Sequence, residues 1–393
     1  MPGILWGILS GILLGVTGAM AEGAGPVVPL DPPAPGAIRV AQYNAALSRA
    51  GAGVLLGDIR AREAQVLGVA SVILAVRPDV LVLNEIDRDG EGAALEAFAA
   101  LLAEGVGGLE GLALDHRVQP VSNTGRPSGL DIDGDGEALG PADAWGYGAF
   151  PGQYAMAVLS RYPLEGLRTW RLLPWSAMPG ALRPATGGET LHDDATWARL
   201  RLSSKTHLAV EVAVPGGPVA LVAAHPTPPV FDGPADRNGR RNHDEIRLIG
   251  AIMDGAGWLV DDDGRPGGVD PALPVVVAGD LNADPADGDA RRGALAALLS
   301  HPRLQDPRPL SEGAVAAAGQ GGANARHRGA AEADTADWRD EPGPGNLRVD
   351  YVLPDARAEV TAGGVYWPAP GAPGADAAEA SDHRLVWVDI RLP

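Results

Sequence analysis

The chain has 393 residues, 46% of them hydrophobic, which is enough to bury a large core. Its 50 acidic residues outnumber 31 Lys and Arg, and the net charge of −19 disfavours stable binding of duplex nucleic acid, which usually depends on a basic surface. A transient encounter with nucleic acid, through a local basic patch and a metal ion, is still compatible with this charge. The absence of cysteine excludes disulfides, thiolate nucleophiles and cysteine-based zinc sites.

The first 21 residues have the pattern of a signal peptide. The apolar run at 4–16 is shorter than the roughly 20 residues of a membrane span, and Ala19-Met20-Ala21 is a small-x-small cleavage pattern. No Lys or Arg precedes the run, so an uncleaved membrane anchor is the alternative. Residues 22–36, rich in Pro and Gly, are typical of a linker. We predict a secreted or periplasmic monomer with no transmembrane span in the mature chain.

The remaining chain alternates between strand and helix patterns. Strands are predicted at 38–43, 79–84, 155–160, 207–214, 219–224, 274–278, 347–353 and 385–390, and helices at 66–74, 95–102, 244–254 and 290–299. Two long segments, 122–152 and 311–345, have no clear period and are predicted to be loops. Alternating strands and helices, with some hairpin-like strand pairs, predict an α/β sandwich with mixed sheets.

Four of the apolar strands are followed by a polar residue that can act on a phosphate. These residues are Asn44, Glu85, His225 and Asp280. If their strands lie side by side and run parallel, the four side chains gather at one edge of the core, where α/β proteins place their sites. Any one of them alone is more often a turn or capping residue. The combination with Asn282 and a C-terminal Ser-Asp-His sequence favours a catalytic site.

The chain resembles the endonuclease/exonuclease/phosphatase superfamily, which includes pancreatic-type deoxyribonucleases, abasic-site endonucleases, sphingomyelinases and inositol phosphatases. The matching segments, in family order, are YNAAL at 43–47, PDVLVLNEID at 78–87, AVLSRYPL at 157–164, AAHP at 223–226, AGDLNADP at 278–285, RVDYVLP at 348–354 and SDHRLVWVDI at 381–390. The resemblance implies a four-layer sandwich, in which two mixed β-sheets pack face to face with helices outside. It also implies one catalytic domain, residues 37–393, with insertions at about 122–152 and 311–345.

The resemblance and the residue chemistry together imply a metal site. Glu85 offers a hard carboxylate to Mg²⁺ or Mn²⁺, ions that keep several waters and take one or two protein carboxylates. Asn44 and Asp382 are expected to complete or support the coordination. The metal is expected to polarise the phosphoryl oxygen and to stabilise charge on the leaving group.

The remaining site residues are expected to act on water and phosphate. Asp280 is expected to orient and deprotonate the attacking water, and Asn282 to donate to a phosphate oxygen. His383 is expected to contact the phosphate, with Asp350 fixing its tautomer. His225 is expected to be a second donor to the pentavalent transition state. The reaction would be an in-line displacement with inversion.

Asp131, Asp133 and Asp135 form the D-x-D-x-D-G start of a calcium loop. The pattern departs from the full loop because its twelfth position is Ala142 and the next acid, Asp143, comes one residue late. We predict a structural Ca²⁺ bound by these four aspartates. An acidic surface turn is the alternative.

A cluster of three arginines follows the His225 strand. Arg237, Arg240 and Arg241 are predicted to bind the phosphate of the substrate, because local guanidinium groups in an acidic protein are suited to that role. The alternative is a solvated helix N-terminus that pairs with Asp236 and Asp244.

The predicted function is a metal-dependent phosphodiesterase of nuclease type that hydrolyses a phosphate ester without a covalent intermediate. A phosphomonoesterase or a sphingomyelinase-type lipid phosphodiesterase is the alternative within enzymes. A non-catalytic, calcium-stabilised extracellular binding module is the alternative of another class. The sequence contains no phosphate-binding P-loop, no Gly-x-Ser-x-Gly elbow and no His-Glu-x-x-His motif, which disfavours other hydrolytic chemistries.

Overall fold

A computed structural model describes residues 27–393. The predicted signal peptide, 1–21, and the first part of the predicted linker lie outside the described residues. Across 27–393, no helix combines the length and the apolar composition that crossing a membrane requires.

The strands are β1 (Ile38–Leu47), β2 (Val80–Ile86), β3 (His116–Val118), β4 (Met156–Ser160), β5 (Leu164–Thr169), β6 (Ala185–Thr186), β7 (Glu189–Thr190), β8 (Leu208–Val214), β9 (Gly217–Ala223), β10 (Val275–Asp280), β11 (Ala336–Asp337), β12 (Asn346–Leu347), β13 (Asp350–Pro354), β14 (Glu359–Tyr366) and β15 (Leu385–Arg391). The helices are α1 (Val54–Ala61), α2 (Ala64–Val76), α3 (Ala93–Glu104), α4 (Asp194–Trp197), α5 (Arg237–Met253), α6 (Arg292–Leu299), α7 (Glu312–Ala317) and α8 (Ala375–Ala378).

Two large mixed sheets form the framework. The first has six strands in the order β14-β15-β1-β2-β4-β3, and the second has five in the order β13-β10-β9-β8-β5. In each sheet one central pair is parallel, β1 with β2 and β9 with β10, while the other neighbours are antiparallel. Each parallel pair is joined by a helical connection, which parallel neighbours require.

The core consists of three hydrophobic layers, which make the molecule a four-layer sandwich. The central layer, between the sheets, joins side chains such as Val82 and Val388 of the first sheet to Leu221 and Val276 of the second. A second layer packs α1, α2, α3 and α8 on the outer face of the first sheet, and a third packs α5 and α6 on the outer face of the second. Because β1, β2, β9 and β10 are covered on both faces, their residues are almost continuously buried and mostly apolar, rather than alternating.

The predicted fold is confirmed, with differences in several elements. β1 continues to Leu47, and α5 begins at Arg237, seven residues before the predicted start. The predicted strand at 347–353 is divided into β12 and β13. The sequence analysis did not predict α1, β5 or β14, whose apolar residues are few or irregularly spaced.

The prediction that 311–345 is a loop without regular elements is wrong. This segment contains α7, three short 3₁₀ turns and the strand β11, which pairs with β12. It is held by contacts to distant parts of the chain, such as the bond from the Gly313 backbone N–H to the Trp367 carbonyl and the Ala336–His383 bridge. Structure of this kind does not depend on a local period, so the sequence pattern does not reveal it.

Asp334, in this segment, gives a prediction about stability. The residue is only 8% exposed, and burial, followed by the charges of Asp284 and Asp287, raises its pKa to about 8. Its pKa in the unfolded chain is about 4, so folding disfavours the charged form, and stability falls as pH rises from about 4 to 8. We expect Asp334→Asn to stabilise the protein by about 1–3 kcal/mol near pH 8 and much less near pH 5.

Urea unfolding at the two pH values measures this effect. Asp270→Asn is the control, because Asp270 is exposed on the surface. An equal gain for Asp334→Asn at both pH values would contradict the assignment of the penalty to the ionised carboxylate.

Candidate active site

The four predicted strand-end residues lie together at one end of the sandwich. They form two pairs on facing sheets: Asn44 and Glu85 belong to β1 and β2, while His225 and Asp280 follow or end β9 and β10. The condition of four adjacent parallel strands is therefore not met, but the convergence occurs because the two parallel pairs face each other. Asn84 links the sheets below the site, since its Oδ1 accepts from the backbone N–H of Asp280 at 3.1 Å.

Asp280 is the centre of the group. Its Oδ2 accepts a hydrogen bond from Asn44 Nδ2 at 3.0 Å and lies 3.3 Å from His225 Nε2 and 3.8 Å from His383 Nε2. Its Oδ1 accepts the backbone N–H of Asn282 at 2.9 Å. The carboxylate is 1% exposed, so its orientation is fixed by these donors rather than by solvent.

Electrostatics keep Asp280 ionised. Burial opposes ionisation, but the charge of His383 and the hydrogen bonds from His225 and Asn44 outweigh it and hold the pKa well below its usual range. The pKa of His225 is lowered to about 4, first by burial and then by the charge of Lys205. His225 is therefore a neutral imidazole at pH 7 and donates one N–H to Asp280.

His383 and Asp350 form a second, linked pair. His383 Nδ1 lies 2.9 Å from Asp350 Oδ2, which also accepts from the hydroxyl of Thr335 at 2.8 Å. Burial lowers the pKa of His383, but the carboxylates of Asp350 and Asp280 outweigh it and raise the pKa well above its usual value. The result is an imidazolium with Nδ1 on Asp350 and Nε2 directed toward Asp280.

Ligand atoms of Asp280, Asp350 and His383 lie within 4.8 Å of one another, a spacing that also fits a shared metal ion. We interpret the group as a hydrogen-bonded acid–base unit, because the imidazolium already occupies the position between the two carboxylates.

Glu85 and Asp382 fit a divalent cation better. Glu85 has φ +57°, a left-handed conformation that costs free energy in a residue other than glycine and often marks a functional site. Its pKa is raised by burial and then by the charge of Asp382, and no hydrogen bond to its carboxylate within residues 27–393 offsets this. The charges of Lys205 and His383 partly offset this rise, and a hard ion with oxygen ligands would offset it further.

Asn44 occupies an intermediate position between the two groups. Its Nδ2 is used by Asp280, while its Oδ1 accepts a 3.3 Å bond from the backbone N–H of Ala46. The carbonyl oxygen is thus the only part of this side chain available to a metal.

A cleft of about 600 Å³ opens beside these residues. One wall is the apolar loop 228–231, and Phe231 at its edge is 91% exposed with φ +62°. The opposite wall comes from the 311–345 segment, where Trp338 donates to Asp382 Oδ2 at 3.0 Å and contacts His383 edge-on. Arg339, next in the chain, is an exposed cation at the cleft.

Lys205, the only lysine of the chain, is a buried cationic side chain next to the site. The residue is 7% exposed, and its Nζ makes one long hydrogen bond, 3.4 Å, to the Pro226 carbonyl. The same carbonyl accepts a hydrogen bond from Asn282 Nδ2 at 3.1 Å. Burial lowers the pKa of Lys205, while the charges of Glu245, Glu85 and Asp280 oppose the shift. The ammonium therefore lies beside Asn282 with most of its donor capacity unused among the described residues.

The three arginines lie away from the cleft. The Arg241 guanidinium donates to four backbone carbonyls, those of Leu202, Trp145, Arg201 and Ser203. Arg237 donates to the Ile132 carbonyl and Arg240 to the Arg183 carbonyl. These side chains fasten α5 to neighbouring loops because loop carbonyls lack partners in the sheets, and none of the three lines the cleft.

Two positions that contact the proposed site residues were missed by the sequence analysis. Thr335 and Trp338 lie in a segment without a period, where no helix or strand pattern marks them. The only compositional sign of a site in this segment is the run Trp-Arg-Asp at 338–340, which interrupts an Ala/Gly-rich stretch.

Taken together, the two-sheet sandwich and its acidic, histidine-containing cleft define a hydrolase of phosphate esters. The model of the Endonuclease/Exonuclease/phosphatase family matches residues 41–383, and the chain belongs to that family. No curated protein gives a significant match.

Solved structures share the fold. An endonuclease/exonuclease/phosphatase from Beutenbergia cavernae DSM 12333 is 24% identical, with 91% of this chain and 72% of that chain covered and a TM-score of 0.52. The catalytic domain of human Nocturnin is 16% identical, covering 92% and 95%, with a TM-score of 0.48. Sphingomyelinase C from Streptomyces griseocarneus is 17% identical, covering 90% and 99%, with a TM-score of 0.45.

Proposed function

We propose that the protein is a secreted, divalent-metal-dependent phosphodiesterase of nuclease type, which hydrolyses its substrate with water and without a covalent intermediate. The observation that carries this proposal is the setting of Asp280, an ionised carboxylate surrounded by donors and facing the imidazolium of His383. The residues that line the cleft include no serine, threonine or cysteine that could act as a nucleophile.

In this mechanism Asp280 orients the attacking water and accepts its proton. A carboxylate with so low a pKa is a weak base, so its main contribution is to hold the water in line with the leaving oxygen. The neutral imidazole of His225 and the amide of Asn44 keep the Asp280 carboxylate in place.

The phosphoryl oxygens receive donors from three directions. Asn282 Nδ2 and Lys205 Nζ both donate to the Pro226 carbonyl, and each has a further N–H that could donate to one phosphoryl oxygen. His383 donates from Nε2 to another, while Asp350 holds its Nδ1. Donors that are in position before the reaction stabilise the added charge of the pentavalent state without further reorganisation.

The metal proposed for this site is Mg²⁺ or Mn²⁺, held by Glu85 and Asp382 with the carbonyl of Asn44. Its chemistry is to polarise the phosphoryl oxygen and to stabilise the charge on the leaving group. The two carboxylates and the strained backbone of Glu85 support this assignment.

The proposed catalytic unit extends over residues 37–393, with the 122–152 and 311–345 segments as insertions. Export rests on the pattern of residues 1–21. The net charge of −19 supports transient rather than stable contact with any nucleic acid.

A substrate panel tests the proposal. Metal-stripped protein is incubated with plasmid DNA, bis-p-nitrophenyl phosphate, p-nitrophenyl phosphate and sphingomyelin vesicles, and Mg²⁺, Mn²⁺ or Ca²⁺ is added back. We expect no turnover without metal and restored turnover on the diesters with Mg²⁺ or Mn²⁺. Activity that is unaffected by chelation would contradict the metal-dependent mechanism, and silence on every substrate with every metal would favour the non-catalytic binding module.

The lipid-directed alternative has one supporting observation. Phe231 is 91% exposed at the edge of the cleft, beside Val230 and the two prolines at 228–229, and such an apolar edge fits contact with a lipid surface. Preference for sphingomyelin over the soluble diester would select this alternative, and preference for p-nitrophenyl phosphate would select a monoesterase.

A further inference from the structure

The acidic loop at 131–143 lies outside the catalytic group and is not used by the mechanism. The structure brings oxygens of Asp131, Asp133 and Asp143 within 4.8 Å of one another. Asp135 is not part of this group, which contains three of the four aspartates predicted as ligands.

Asp143 joins the group although it comes one residue late in the sequence. A 3₁₀ turn at Pro141–Asp143 brings its carboxylate back over the start of the loop, where Oδ1 accepts the backbone N–H of Ile132 at 2.7 Å. The residue is only 2% exposed, and its Oδ2 is buried without a hydrogen-bond partner among residues 27–393. A buried carboxylate oxygen without a donor is costly, so a ligand at this position is indicated.

The protein supplies only part of the compensating charge. Arg237 is the nearby cation, as the charges of Asp133 and Asp143 act on it, but its guanidinium hydrogen-bonds the Ile132 carbonyl rather than a carboxylate of the group. Three carboxylates and one arginine leave a local charge of about −2, which one divalent cation balances.

We propose that Asp131, Asp133 and Asp143 bind one Ca²⁺ ion that takes no part in hydrolysis. Ligand oxygens that all lie within 4.8 Å of one another can share one cation. Ca²⁺ is favoured over Mg²⁺ because it accepts variable geometry in a flexible loop with several oxygen ligands, whereas Mg²⁺ requires bonds of about 2.1 Å in a near-ideal octahedron. Water and backbone carbonyls complete the larger, more variable shell of Ca²⁺.

The ion has a structural role in this proposal. Next to the loop, Leu130 and Ile132 pack with Leu200, and Trp145 and Trp197 cover them. Linking Asp131 to Asp143 closes the acidic loop above this small cluster. Calcium thereby stabilises the 122–152 insertion against the start of α5.

Terbium luminescence tests the site, because Tb³⁺ replaces Ca²⁺ on oxygen ligands and is sensitised by nearby tryptophan. The full chain carries Glu85→Gln, which removes the main ligand of the catalytic metal site. Asp133→Asn is compared with Asp135→Asn, since the two are exposed aspartates of one loop with similar local hydrogen bonds. Asp143→Asn is the second variant.

We expect tryptophan-sensitised emission that Ca²⁺ displaces and excess Mg²⁺ does not. Asp133→Asn and Asp143→Asn are expected to weaken Tb³⁺ and Ca²⁺ binding by about tenfold or more, while Asp135→Asn changes it less than about threefold. The melting temperature should rise with Ca²⁺ in the Asp135→Asn protein and not in the Asp133→Asn protein.

Three results would overturn the proposal. These are the absence of displaceable emission in the Glu85→Gln protein, equal weakening by Asp133→Asn and Asp135→Asn, and equal displacement by Mg²⁺ and Ca²⁺. None of these readouts uses hydrolysis, so the calcium site and the proposed catalytic function succeed or fail separately.

Discussion

Asp280→Asn is expected to lower kcat by about 10³-fold or more on the preferred phosphate ester, with KM changed far less. The substitution keeps the shape of the side chain but removes the charge that orients the water and receives its proton. It also removes at least one hydrogen bond, because only one side of an amide accepts: either the Asn282 N–H or the Asn44 and His225 donors lose their acceptor. We therefore expect a modest loss of stability, about 1–2 kcal/mol, in a protein that remains folded.

Steady-state kinetics and urea unfolding measure the two effects separately. Asp270→Asn is the matched control, since it makes the same chemical change on the exposed surface. A mutant with near-normal kcat would remove Asp280 from the mechanism, and a mutant that unfolds would be replaced by Asp280→Ser before any conclusion about catalysis is drawn.

The convergence of the proposed site residues was predictable because most of them follow an apolar strand or lie in a short polar motif. A change from an apolar run to a polar residue marks Asn44, Glu85, His225 and Asp280 in the sequence. In the structure each lies near the end of a buried strand. Which strands share a sheet was not predictable, since a continuous apolar run indicates burial on both faces but not the identity of the neighbours.

The arginine cluster shows a different limit of the sequence. Arg237, Arg240 and Arg241 are typical of an anion site by composition, but their guanidinium groups are used by carbonyls of the 122–152 insertion and the loops before β8. Whether a loop carbonyl has a partner depends on contacts between residues about 40–105 positions apart. No local pattern contains that information, so the sequence could not separate a substrate-binding arginine from a structural one.

The 311–345 segment connects the missed residues to the mechanism. It supplies Thr335, which donates to Asp350, and Trp338, which donates to Asp382 and contacts His383. Each therefore contacts a residue that we propose to act on the substrate or to bind the metal. Residues of this kind set the orientation and the pKa of the side chains that act directly. Substituting one of those side chains is therefore expected to change the pH dependence of turnover.

Asp350→Asn is expected to show such a change in the pH dependence of kcat. Asp350 and Asp280 together raise the pKa of His383, so removing the Asp350 charge lowers the pKa of His383. The protonated imidazole, which donates to the phosphate, is then lost at a lower pH. We expect the alkaline limb of the profile to move to lower pH by about one unit or more, and kcat at its optimum to fall by about 10–100-fold.

Profiles measured over roughly pH 5–10 give both quantities. Thr335→Val is the matched control, because it removes a hydrogen bond to the same carboxylate and leaves the carboxylate itself in place. If Asp350 acts through its charge, the alkaline limb moves in Asp350→Asn and stays nearly fixed in Thr335→Val, even where both lower kcat. Equal displacement in the two variants would instead mean that Asp350 supports His383 only through packing, and the imidazolium would then depend on Asp280 alone.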